Sequence, residues 1–302
     1  MLKEEILMIK NPLESKGFNP PISIISCFAR SGGTMLNRWL LTSEDVIVLS
    51  EVNPANEGYG KIQQTVKWQA KEWYGIEINK EGYIDQIIDL YRWCTQHQKY
   101  LVIREWPYID FMPCGLNDQK PVGVCSTYEM LKSKVPVRII AFVRDSIDVY
   151  LSLRDAHPDI SDFMLHYNNY IDYLCKNHID CVKYEDFCRS PHEVGLSICE
   201  KLLLPPVTNL NVKLERNARL TGDTLVSRGN VSSDILILNR KYISRTLRNR
   251  LNKNIFMKRA NEALAYPITY ESRDYVSFFE NMIMSVKYLL LNIVKRIRNK
   301  VS

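Results

Sequence analysis

Five apolar runs of strand length, rich in β-branched residues, fall at 22–28, 46–50, 101–105, 137–144 and 181–185. Longer stretches with helical spacing lie between them, at 34–41, 61–73, 83–98, 147–153 and 163–176. Strands alternating with helices build a parallel sheet covered on both faces, because each parallel crossover needs a helix-length connection. The reading is an α/β fold of three layers with about five parallel strands. In such sheets ligands sit beyond the carboxyl ends of the strands, so the residues just after each run carry the functional argument. No internal repeat or linker divides the 302 residues, which are read as one domain. Its core spans about 20–235, and a helical, basic C-terminal extension spans about 236–302.

Composition narrows the class. With 46% hydrophobic and 25% charged residues, 12 Gly and 13 Pro, the chain is neither disordered nor collagen-like nor of low complexity. The net charge of +6 is mild, but its distribution is uneven. Residues 235–261 hold eight bases (Arg240, Lys241, Arg245, Arg248, Arg250, Lys253, Lys258, Arg259) and no acid, and five more bases follow residue 281. Without those thirteen the chain has 27 bases and 34 acids, a net of −7. The C-terminal segment is therefore a solvated basic face or a contact for anions, with 288–300 a candidate for an anionic membrane surface.

Eight cysteines without a Cys-x-x-Cys pair argue against a zinc ribbon or a thioredoxin-type motif and fit reduced thiols. The first ten residues contain no apolar run of signal-peptide length, and no run reaches the ~18–20 residues of a spanning helix. A cytoplasmic protein is expected, with no nucleic-acid partner. The five histidines form no His-Glu-x-x-His or i,i+4 pair and no Gly-x-Ser-x-Gly elbow exists, so neither a metal site nor hydrolase chemistry is expected.

The first strand runs into Arg30, Ser31, Gly32, Gly33 and Thr34, after which Met35 continues with helical spacing. A strand, a tight glycine turn and a helix start converge backbone N–H groups and the helix dipole on one point, which makes an anion cradle. The string Gly-x-x-x-x-Gly-Lys-Ser/Thr is absent, so this is not an ordinary ATPase loop. The fourth strand ends at Arg144-Asp145-Ser146, and Ser152 follows two turns into the next helix, so a second phosphate could be held there. Two anion sites on neighbouring βα units imply a doubly phosphorylated nucleotide. Glu51 follows the second strand and the pair Arg104-Glu105 ends the third, which supplies carboxylates where a general base is needed. The same residues also suit a plain structural turn, with Glu51 as a cap or as a salt-bridge partner of Arg30 or Arg104.

The segment FARSGGTMLNRWL (28–40) resembles the 5′-phosphosulfate loop of sulfotransferases that use 3′-phosphoadenosine 5′-phosphosulfate (PAPS). FVRDSIDVYLS (142–152) resembles their 3′-phosphate motif, and residues 182–205 are similar to the strand and helix that follow. These matches run in the family's order from residue 22 to residue 228. The resemblance implies a P-loop-like fold, PAPS as donor, adenosine 3′,5′-bisphosphate as product, no required metal and a hydroxyl acceptor of carbohydrate or lipid-like type. It places Arg30 at the departing bridging oxygen, Ser31, Gly32, Gly33, Thr34 and Met35 at the 5′-phosphate, and Arg144 with Ser152 at the 3′-phosphate. Ser227, Arg228 and Gly229, in the polar loop 208–233, fall where the family brings a second clamp over the nucleotide. The Ser-Glu-x-x-Pro segment at 50–54 makes Glu51 the first candidate base and Glu105 the second, with Arg104 contacting acceptor or sulfate. Two departures stand out: Gly33 replaces a frequent Thr or Ser, and Ala29 a frequent Pro. The rival readings are a nucleotide- or polyanion-binding protein without turnover and an atypical P-loop kinase using ATP and Mg²⁺.

Overall fold

The computed structural model describes residues 17–59, 62–113, 120–207 and 242–279, together with Ile235, Arg240, Met282, Ile283 and Val286. Five strands, β1 (Ile22–Ser26), β2 (Val46–Val52), β3 (Tyr100–Glu105), β4 (Val137–Val143) and β5 (Asp180–Lys183), form one sheet in the order β2-β3-β1-β4-β5. Every neighbouring pair is parallel. The chain leaves β1 toward one edge and later returns to its other side with β4, so β1 sits at the point where the strand order reverses. Open α/β sheets bind ligands beyond the carboxyl ends of the strands at such a point.

Period-two alternation sends successive side chains to opposite faces, and both faces are covered. On one face Ile25, Val48 and Phe142 pack against Leu36 and Trp39 of α1 (Gly33–Leu40), Phe187 of α9 (Tyr184–Arg189) and Ile198 of α10 (Pro191–Leu202). On the other, Ile24, Leu49 and Ile103 meet α4 (Tyr83–Gln96), while Ala141 and Val143 meet α8 (Ile160–Lys176). Of the C-terminal extension, α11 (Arg245–Lys253) and α12 (Ile255–Ala263) are described, and Met257 and Ala260 of α12 are fully buried in the core with α8.

Several boundaries differ from the sequence reading for local reasons. The fifth run stops at Lys183, because Tyr184 opens α9, whose first turn places Glu185 and Asp186 at the positive end of the helix dipole. The stretch 61–73 divides at Thr65, whose hydroxyl accepts the Trp68 N–H and starts α3 (Val66–Tyr74). Asp159 accepts the Ser161 and Asp162 amides, so α8 begins at Ile160, before 163. The short helices α2 (Asn56–Tyr59), α5 (Pro107–Phe111) and α6 (Ser126–Leu131) span too few residues for a periodic signal. The second pair of helices is α7 (Ser146–Leu153) and α8, placed as expected after β4. Among the described residues no helix is long and apolar enough to cross a membrane.

Helices α1 and α10 approach closely because Gly195 has no side chain. A Cβ there would overlap the indole of Trp39, which is 1% exposed and cannot swing away. Gly195→Ala is therefore expected to destabilise the fold by about 1–3 kcal/mol through overpacking, against the usual gain from replacing a helical glycine. Urea denaturation checks this, and a more stable variant would refute the close packing.

Candidate functional site

The turn after β1 is shaped by two left-handed residues, Arg30 at φ 70° and Gly32 at φ 93°. The Ser31 N–H closes the turn on the Phe28 carbonyl at 3.1 Å. Gly32 is the N-cap of α1 and has no side chain to accept the first-turn amides, and no acid lies in that turn. The Gly33 and Thr34 amides have no partner inside the helix and carry the positive end of its dipole, while the Met35 N–H is taken by the Gly32 carbonyl at 2.9 Å. Ser31 is fully buried and its Oγ has no hydrogen-bond partner among the described residues. Uncapped amides beside an unpartnered buried hydroxyl form a site that an anion would complete. Bulk is excluded on two sides: a Cβ on Gly32 would overlap the Tyr184 ring, and one on Gly33 would lie 2.7 Å from both Arg104 Nη1 and Cys27 Sγ.

Arg104 and Glu51 meet below that turn. Alternation should send Ser50 and Glu51 to opposite faces, yet both reach Arg104, which donates to Ser50 Oγ at 2.7 Å and lies 3.3 Å from Glu51 Oε1. The cause is a break in the β2–β3 register between Ser50 and Val52, with Glu51 at φ 54°. A bulge of this kind re-aims one side chain at the end of a strand. Gln64 donates to the other carboxylate oxygen at 3.1 Å, and Gln69 bridges Ser50 N and O at 2.7 Å each. The salt-bridge alternative for Glu51 is thus realised with Arg104. Cys27 lies beside this pair, and burial pushes its thiol up to about 11 although the Arg104 cation pulls the other way.

Arg144 joins the same locus from β4. Its Nη1 donates to the Arg30 carbonyl at 3.3 Å, its guanidinium stacks 4.7 Å from the Tyr184 ring, and its Nε is buried without a hydrogen-bond partner among the described residues. The Tyr167 hydroxyl fixes the Arg144 carbonyl at 3.0 Å. Ser152 sits half-buried on α7, and no described hydrogen bond joins it to Arg144. Its helical face is shared with Asp145 and Asp148. Both acids are held by Arg240, at 2.7 and 2.9 Å, and Tyr270 also donates to Asp145. Arg240 therefore departs from the exposed basic face expected of its segment: its charge is neutralised inside the fold. Beside it opens a cavity of about 690 Å³, bordered by Lys183, Glu185, Tyr266 and Tyr270.

Glu105 is not part of this assembly. It points to the opposite face of β3, fully buried, where its carboxylate accepts the Tyr128 N–H at 3.2 Å. Asp110 accepts Ser126 N and Oγ at 3.1 and 2.6 Å, so two carboxylates cap the start of α6. Burial, with Asp110 adding, pushes Glu105 up to about 7, and burial pushes Asp110 up to about 6. Glu105, the second candidate base, is thus enclosed on the α6 side of β3, apart from Glu51 and Arg104. Thr34 and Met35 are half-buried on α1. Ser227, Arg228 and Gly229 lie outside the described residues. Sequence reasoning missed Gln64, Gln69 and Tyr184; only Tyr184, next to the predicted fifth strand end, stood where a search for ligand residues would look.

No protein-family model matches the chain. No curated protein matches it in sequence. Among solved structures it is similar to the sulfotransferase domain from the Synechococcus PCC 7002 olefin synthase, with TM-score 0.55 and 16% identity over 82% of this chain and 96% of that one. A sulfotransferase from Alicyclobacillus acidocaldarius aligns with TM-score 0.41 and 14% identity over the same shares, 82% and 96%. The first likeness establishes the fold: the chain has the α/β sulfotransferase architecture, with its five-stranded parallel sheet.

The buried carboxylates predict a pH dependence of stability. A carboxyl whose folded value lies above its unfolded one keeps a proton that the unfolded chain loses, so stability is full below the unfolded value and falls as pH rises through the folded one. For Glu105 that window runs from its ordinary 4.5 to about 7. The urea midpoint is expected to fall across this window, and Glu105→Gln to flatten the fall. An unchanged slope in the variant would show that Glu105 does not titrate there.

Proposed function

We propose that this chain is a PAPS-dependent sulfotransferase that acts on a hydroxyl acceptor of carbohydrate or lipid-like type. The reading rests above all on Ser31, a fully buried hydroxyl without a partner among the described residues, beside the uncapped first amides of α1, in a chain with the sulfotransferase fold. Ser31 Oγ and the amides of Gly32, Gly33 and Thr34 would hold the 5′-phosphate, with Met35 beside them. Arg144, whose Nε lacks a partner, would hold the 3′-phosphate with Ser152. Ser227, Arg228 and Gly229 complete this proposal as the second clamp. The bound donor would supply the sulfuryl group and leave as adenosine 3′,5′-bisphosphate.

The side chains then divide the work. Glu51 takes the proton of the acceptor hydroxyl, with Gln64 and Arg104 fixing its two oxygens. Arg30, at the edge of the loop, neutralises charge on the departing oxygen, and Arg104 adds a buried cation below. Neither role needs a covalent bond to the protein: catalysis is by positioning and electrostatics. A reducing, cytoplasmic location suits the seven free cysteines of the described residues.

Calorimetric titration tests the donor site. Adenosine 3′,5′-bisphosphate is expected to bind far more tightly than AMP, and Arg144→Ala to remove that preference. Equal affinity for both ligands, or a preference for ATP with Mg²⁺, would overturn the two-phosphate reading. With PAPS and an acceptor that supports turnover, Arg30→Ala should lower the rate by roughly 10²-fold or more, and Glu51→Gln should lower kcat by about 10²–10⁴-fold. The Glu51 variant keeps its affinity for the bisphosphate. Full turnover in either variant would remove that residue from the mechanism.

A further inference from the structure

After Tyr275 the chain turns outward. Phe278, Phe279, Met282, Ile283 and Val286 are all helical, and they are 57, 70, 48, 63 and 53% exposed. At 100° per residue these five fall within an arc of about 140°, a single apolar stripe. Soluble proteins rarely leave such a contiguous row of large apolar side chains in water. The sequence continues the same spacing through Leu289, Leu290, Ile293, Val294 and Ile297. Between and beyond them stand Lys287, Lys295, Arg296, Arg298 and Lys300, and no acid occurs from residue 281 onward.

A second basic element adjoins the stripe. The Phe278 ring packs edge-on against Tyr242, with centroids 5.7 Å apart, two residues before the N-cap of α11. Helix α11 presents Arg245, Arg250 and Lys253 to solvent. The occupant of this face must therefore accept apolar side chains and at the same time carry negative charge. A second copy of the chain fits poorly, because it would bring the same cations against one another. An anionic bilayer supplies both, with acyl chains for the stripe and headgroups for the bases.

The geometry points to a membrane-docking face: the stripe from Phe278 to Val286, with the exposed bases of α11 beside it, seats the protein on the surface of an anionic lipid bilayer. The protein lies on the membrane without spanning it, and this docking is independent of sulfuryl transfer.

Flotation of the full chain with phosphatidylcholine vesicles, with and without phosphatidylglycerol, tests this. Binding is expected to require the anionic lipid and to weaken at high salt. Each basic side chain near the surface contributes about fivefold, so replacing Arg245, Arg250 and Lys253 together with Gln should weaken binding on the order of a hundredfold. Phe279→Asp with Ile283→Asp should abolish flotation while the urea midpoint and the affinity for adenosine 3′,5′-bisphosphate stay unchanged. No flotation, or equal flotation with neutral vesicles, would overturn the proposal. So would a concentration-dependent dimer that the same two substitutions dissolve without any lipid binding.

Discussion

A guanidinium that is 3% exposed has to be paired, because an uncompensated buried charge costs several kcal/mol. Around Arg104 that requirement organises three elements at once. Ser50 gives it an acceptor on β2, Glu51 gives it a counter-charge, and the bare Cα of Gly33 lets it come within contact of the loop. Glu51 reaches it only through a bulge and a left-handed backbone, a conformation that carries a cost of order 1–3 kcal/mol for a residue with a side chain. That cost is offset by the ion pair and by the hydrogen bond from Gln64. The turn after β1, the buried cation and the carboxylate are thus one coupled unit, and no member can move without disturbing the other two.

A second buried network ties the C-terminal extension to the other half of the site. Asp145 caps α7 through the Ile147 N–H, pairs with Arg240 and accepts from Tyr270, while Ser146 donates to Asn261 of α12. Asn261 in turn donates to the Tyr270 hydroxyl and the Pro267 carbonyl. Arg144 directly precedes this cap, so residues more than ninety positions later in the chain set the place where its side chain leaves β4. The extension is in this sense part of the site's frame rather than an appendage. Arg240 stacks over Tyr270 at 4.5 Å, which adds to the ion pair without competing for its acceptors.

How far the sequence foretold this depends on the range of the interaction. The strands were legible because a buried parallel strand is a short, continuous apolar run, and the turn at residues 30–34 because glycines at a strand-to-helix junction have few other uses. Short helices left no period to read. The fate of a charged side chain depends on what lies opposite it in space. Glu105 and Arg104 are neighbours in sequence, yet alternation sends one to cap α6 and the other to the loop. Arg240 and Arg245 belong to one basic run, but only the first meets carboxylates and turns inward. Charge counted along the chain could not separate them.

The same reasoning accounts for the departure at residue 33 from the family pattern that the loop resembles. A threonine or serine there would add a hydroxyl donor toward the anion of the proposed site, but its Cβ would stand 3.0 Å from Arg104 Cδ and closer still to the guanidinium and to the Cys27 sulfur. A side chain at 33 and a buried arginine at 104 therefore compete for one volume. This chain fills it with the arginine, trading a neutral donor for a fixed positive charge below the loop. For the proposed transfer, a fixed charge would act on a developing anion more strongly than a hydroxyl would. Gly33 and Arg104 are best understood as a single choice made at two positions, and Glu51 as its consequence.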